Sequence, residues 1–102
     1  MSFSENMIQD VWEKGTVVTN NDPQKWRKAQ CGAWISRSQY GNRKSQYGWE
    51  IDHISPGGED KLSNLRPLQW QNNVDKSDGR LKGYITAEGT ENVDKCPQRQ
   101  SS

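Results

Sequence analysis

At 102 residues, of which 29% are apolar, the chain has room for one domain around a small core. Its 14 basic and 13 acidic residues leave a net charge of +1, which singles out no partner when taken whole. No apolar run approaches the roughly 20 residues that cross a bilayer, and the N-terminus lacks the pattern of a signal peptide, so a cytosolic, reducing setting is expected.

Ser4 can cap a first helix that runs to about Lys14 and closes at Gly15, with Met7, Ile8, Val11 and Trp12 on one buried stripe. Asp22-Pro23 signals a second, short helix through about Gln30. Gly32 to Ser36 reads as a strand. Ser38-Gln39-Tyr40-Gly41 recurs as Ser45-Gln46-Tyr47-Gly48, two copies being too few for a repeat architecture. Trp49 to Ile54 is the next strand, with Trp49, Ile51 and His53 on one face and Glu50 and Asp52 on the other. Ser55 to Asp60 must be a loop, in which Gly57-Gly58 supplies flexibility rather than a phosphate cradle. Leu62 to Leu65 is a turn, and Arg66 to Gln69 a short strand confined by Pro67 to an edge. Trp70 to Asp78 carries no breaker before Gly79 and predicts a helix. After Lys82 the chain offers at most one strand near Tyr84-Ile85-Thr86 and then a frayed polar end.

Five tryptophans (Trp12, Trp26, Trp34, Trp49 and Trp70) must supply much of the core, base stacking being the competing use for such rings. Cys31 and Cys96 belong to no CxxC pair, which excludes a cysteine zinc knuckle and favours two unlinked thiols. Between Gln24 and Trp49 lie Lys25, Arg27, Lys28, Arg37, Arg43 and Lys44, interleaved with aromatics and with no acidic residue before Glu50. A polyanion would select that stretch, although a solvated face balanced elsewhere would have the same composition.

The chemistry concentrates in YGWEIDHISPGGEDKLSNLRPLQWQNNVDK, from Tyr47 to Lys76. His53 is the only histidine, and it stands beside Asp52 at the end of a strand. In extended chain these neighbours point to opposite sides, so one can hold a metal while the other faces a different partner. An amide oxygen from Asn73 would be a second hard ligand, and carboxylate, amide and waters suit Mg²⁺ or Mn²⁺. Imidazole ordinarily titrates near neutrality and can take a proton from water there. Together these parts suit metal-assisted attack of water on a phosphodiester.

The order D-H-I-x-P, a glycine pair, S-N-L-x-x-L and Asn-x-x-Lys resembles the HNH endonuclease motif in its version ending in Asn. The resemblance is strict over about thirty residues and extends in layout from Cys31 to Lys82, roughly half the chain. It implies an α+β fold: a ββα-metal core of two short antiparallel strands and a helix clamping one ion, with N-terminal helices packed on it. The implied layout is a helical segment at 1–30, a nuclease core at 31–82, and a short extension with a disordered tail at 83–102. His53 is implied as general base, Asp52 and Asn73 as metal ligands, and Asn64 as the residue fixing the loop and the catalytic imidazole. The ion, Mg²⁺ or Mn²⁺ before Zn²⁺ or Ni²⁺, is implied to contact the scissile phosphate and stabilise the leaving 3′ oxygen. Arg66, Lys76, Arg80, Arg43 and Lys44 are candidate phosphate contacts, and duplex DNA is the expected substrate, ahead of RNA.

Relatives with a structural zinc place cysteines near the last ligand. Gln69-Trp70-Gln71-Asn72 has none, so Trp49 and Trp70 are expected to hold the core by packing. Asn72 competes with Asn73 as ligand, Asn73 being favoured by its spacing to Lys76. Asp52 could instead pair with Arg66, and Glu50 could supplement the metal or simply face solvent. No sequence-reading module is recognisable, so specificity would be low or supplied by a protein partner. Proteins of this size and resemblance occur in bacteria and phages, which places the expected setting in a bacterial or phage-infected cytoplasm. The alternative is a nucleic-acid-binding module without turnover.

Overall fold

The computed structural model describes residues 3–99. Ser4 starts the first helix as its position predicts, its hydroxyl accepting from the Met7 amide at 3.1 Å, and α1 runs Glu5–Trp12. Its stripe of Ile8, Val11 and Trp12 is buried. The C-terminal end is met by the buried Arg27, whose guanidinium donates to the carbonyls of Glu13, Gly15 and Pro23 at 2.8–3.1 Å. A cation on carbonyls at and just beyond the helix end satisfies groups that would otherwise be unpaired. Arg27 is therefore structural, and it is not available to a polyanion.

Asp22 does open a turn, its carboxylate accepting from the Gln24 amide at 2.9 Å, but the expected second helix is absent. The chain leaves that turn as β1 (Trp26–Lys28), which pairs antiparallel with β2 (Trp34–Ser36). Alternation explains the change: Arg27 turns inward to α1, while Trp26 and Lys28 stay half-buried on the other side. Tertiary partners override the local signal of Asp22-Pro23.

β3 (Trp49–His53) pairs antiparallel with β4 (Leu65–Gln69), in a register that sets Asp52 against Arg66 and His53 against Leu65. Both strands are edges of a two-stranded ribbon, which is why Pro67 opposite Ile51 is tolerated. The ribbon runs directly into α2 (Trp70–Val74), begun by Gln69, whose side-chain oxygen accepts from the amides of Gln71 and Asn72. α2 stops well short of the expected Asp78. Asp78-Gly79, both at positive φ (52° and 77°), forms a tight turn closed by the Arg80 amide on the Ser77 carbonyl. That Asp-Gly pair is a turn signal of its own, and it wins over continued helix.

The C-terminal stretch is a hairpin, β5 (Ile85–Glu88) and β6 (Glu91–Asp94), where the sequence predicted one strand and a frayed end. Polar side chains hold it. Buried Asn72 exchanges two hydrogen bonds with the backbone of Ile85, both at 2.9 Å, and Asn92 does the same for Trp34 at 2.7 and 2.9 Å. The last predicted tail residues, 100–102, lie outside the described residues.

The expected architecture is thereby corrected. Among the described residues the sheet content is six short strands in three separate two-stranded ribbons, and α1 alone exceeds the five residues of α2. This is not a set of N-terminal helices on a two-strand-and-helix core. The apolar core gathers Ile8, Val11, Trp12, Ala29, Ile35, Trp49 and Leu65 from α1 and all but the last ribbon. Among the described residues no helix is long and apolar enough to cross a membrane.

Candidate functional site

Alternation along β3 divides its side chains between two environments. Glu50 and Asp52 meet groups from α2, the turn after it and the preceding loop; Trp49 and Ile51 belong to the core face, and His53 lies beyond them near Phe3. Asp52 is only 4% exposed. Arg66 donates to one of its oxygens at 2.8 Å, and the Lys76 ammonium donates to the other. Each cation is itself largely covered, at 18% and 17% exposure. One buried carboxylate thus carries two cations.

Asn73 and Lys76, three residues apart, meet Glu50 and Asp52, two residues apart on the strand. The Asn73 amide donates to Glu50 at 2.8 Å, and Arg43 clamps the same carboxylate at 2.6 and 2.9 Å. Burial raises the Glu50 carboxyl, but the hydrogen bonds from Arg43 and Asn73 and the Arg43 charge outweigh it and hold the group below its ordinary value. Asn72 is fully buried on Ile85, which leaves Asn73 as the asparagine available to this site.

His53 sits in the second environment. Its Nε2 lies 2.5 Å from the Asp60 carboxylate, and the side chain is 33% exposed. Asn64 organises the intervening loop: its oxygen accepts from the Ser55 amide at 2.9 Å, its amide donates to the Glu59 carbonyl at 3.0 Å, and its own carbonyl accepts from Ile54 at 2.8 Å. Gly57 lies at φ +74°, and a Cβ on Gly58 would approach the Asn64 amide to 2.6 Å. Gly57 therefore takes a left-handed turn position, and Gly58 allows the close approach to Asn64.

The predicted residues fall into two groups. Asp52, Arg66 and Lys76 form one cluster with Asn73 beside it through Glu50; His53 and Asn64 belong to the loop of residues 55–64. Arg66, Lys76 and Arg43 are engaged by carboxylates, whereas Lys44 and Arg80 are exposed and make no side-chain bond among the described residues. Asp60 and Glu50 have larger parts than the sequence suggested. Alternation marked Glu50 as the neighbour of Asp52, but nothing local marked Asp60, whose contact depends on the loop folding back.

Among the described residues no three His, Cys, Asp or Glu side chains converge on a point. A divalent ion would draw on the Asp52 carboxylate and the Asn73 oxygen, which accepts no hydrogen bond among the described residues, and on water for the remainder. These hard oxygens fit Mg²⁺ or Mn²⁺, which keep several waters when bound. The ammonium of Lys76 already occupies one oxygen of Asp52, and an ion there would have to compete with it. The chain matches no family model, no curated protein and no solved structure in the comparisons made.

Proposed function

We propose that the chain is a divalent-metal-dependent endonuclease that hydrolyses DNA, of the HNH kind its motif resembles, with His53 as general base. The observation that carries this reading is the His53–Asp60 pair directly after the buried Asp52. A carboxylate on Nε2 holds the ring proton there and fixes the ring, which leaves Nδ1 to accept a proton from an attacking water. Asn64 keeps the loop folded so that Asp60 reaches the imidazole. On the other face of β3, Arg66 and Lys76 hold the Asp52 side chain in place, and Glu50 positions the Asn73 amide. Asp52 and Asn73 would hold the ion, which when bound polarises the scissile phosphate and stabilises charge on the leaving 3′ oxygen. Lys44 and Arg80 remain to meet backbone phosphates.

The second reading, a nucleic-acid-binding module without turnover, is favoured by one observation: both Asp52 oxygens are already engaged by cations of the protein itself. Conversion of supercoiled plasmid to open circles separates the two. Cleavage with Mg²⁺ or Mn²⁺ that is lost in His53→Ala, with DNA binding retained, supports the nuclease. Salt-dependent binding with no cleavage under any divalent ion supports the module.

A further inference from the structure

Trp26, Trp34 and Tyr47 surround a cavity of about 370 Å³ away from β3 and the loop of His53, completed by Asn21 and Thr90. Trp26 meets Trp34 edge-on at 6.2 Å and Tyr47 edge-on at 4.9 Å. Two of the rings are anchored: the Trp34 indole donates to the Gly89 carbonyl at 2.7 Å and the Tyr47 hydroxyl to the Thr90 carbonyl at 2.8 Å. A cluster serving only to glue the C-terminal hairpin to β1 and β2 would bury all three rings. Here Trp34 is the covered floor at 7% exposure, while Trp26 and Tyr47 stay half-buried as walls around open space.

The volume lies at the lower end for small-molecule sites and suits one flat ring system. Two ligand chemistries favour aromatic walls, a cation and a planar heterocycle. Charge decides between them. None of the lining side chains is acidic, and the Lys28 ammonium already lies 4.9 Å from the centre of the Trp34 ring. Next to the cavity, and sharing Trp26 with it, is a groove flanked by Lys25 and Arg37. A cationic guest is repelled there; a base whose phosphate lies toward Lys25 and Arg37 is attracted. At the rim, the Asn21 side-chain oxygen and the Thr90 hydroxyl make no hydrogen bond among the described residues and can meet the polar edge of a base.

We infer that this pocket binds an unpaired base of a single-stranded nucleic acid, stacked on the face of Trp26 beside Trp34 and Tyr47, each of which meets Trp26 edge-on. The inference rests on the nucleic-acid half of the function proposed above and not on turnover. It also gives the basic, aromatic stretch from Gln24 to Trp49 a use beyond packing.

The test compares a short oligothymidine with an abasic strand of equal length and charge, by anisotropy at one ionic strength and without divalent ions. The base-containing strand should bind wild-type protein roughly 5- to 100-fold more tightly, the range expected for stacking one base. Trp26→Ala should erase that preference, and Trp26→Phe should keep most of it. In wild-type protein the oligonucleotide should move the indole N–H resonances of Trp26 and Trp34 and leave that of Trp12 in place. Equal affinity for the two strands, no binding of either, or shifts that bypass Trp26 overturn the pocket. Plasmid cleavage with equal affinity removes the pocket and leaves the nuclease; base-dependent binding without cleavage does the reverse.

Discussion

The two faces of β3 treat their charged residues in opposite ways. Toward α2 and the turn after it, Glu50 and Asp52 are covered, and cations or amides of the protein engage all four of their oxygens. On the other side His53 ends a core-facing row and emerges half-exposed, with one nitrogen on a loop carboxylate. Residues 52 and 53 are neighbours in sequence, yet one is built into a buried charge cluster and the other is partly open to solvent. Substitutions on the two faces should therefore separate what these residues contribute to stability from what they contribute to the proposed chemistry.

The largest effect on stability should come from Asp52→Asn. Removing the carboxylate leaves Arg66 and Lys76 covered without their counter-charge, a change that costs about 3–5 kcal/mol for buried pairs. Thermal unfolding should show the midpoint lowered by more than ~10 °C for a domain of this size. An unchanged midpoint would mean that Asp52 is not a structural clamp. Asn72→Ala comes next, since it strands the N–H and C=O of Ile85 in a buried position at a cost of about 2 kcal/mol. Hydrogen exchange at the Ile85 amide should quicken more than at Ile35; uniform quickening would deny Asn72 a local role.

Asp60→Asn probes the open face. Its carboxylate is exposed, so the unfolding midpoint should hold while kcat falls roughly 10- to 100-fold with little change in KM, as for loss of a partner that orients a functional imidazole. A KM effect alone would make Asp60 a substrate contact. Acid gives the smallest effect. The Glu50 carboxyl is depressed as described, and Asp94 is lowered first by its hydrogen bond from Arg99, against burial, with help from the Cys96 amide and the Arg99 charge. Carboxyls depressed in the folded state contribute stability that is full above their ordinary range and lost as pH falls through the folded values. The urea midpoint should therefore hold down to about pH 5 and decline below about pH 4, less steeply in Asp94→Asn. A decline on raising pH from 5 to 7 would contradict this sign.

Local signals in the sequence carried α1 with its Ser4 cap, the alternation of Trp49 to His53, and the loop that Asn64 closes. Most of what they missed depends on partners distant in sequence. The second helix yields to β1 because Arg27 finds carbonyls at the end of α1, and beyond α2 Lys76 turns back to Asp52, 24 positions away, while the local Asp78-Gly79 turn ends any continued helix. The hairpin of β5 and β6 looked like a frayed end because its anchors, Asn72 and Asn92, are polar and act across long separations. Asp60 was silent because its contact with His53, seven positions away, forms only when the loop between them folds back. Trp49 and Trp70 were expected to replace a zinc by packing; Trp49 is fully buried against Trp12 and Tyr40, while Trp70 holds the preceding loop through the Ser45 carbonyl.

In the proposed function, the open face would perform hydrolysis with an ion held at the closed one. Its most direct measurement is nicking of supercoiled plasmid by purified protein across a Mg²⁺ and Mn²⁺ series, with His53→Ala alongside. Ion-dependent open circles are expected from the wild type and none from His53→Ala, whose unfolding midpoint and DNA affinity should stay near wild type. Undiminished nicking by His53→Ala, or no nicking by the wild type with any divalent ion, would contradict it.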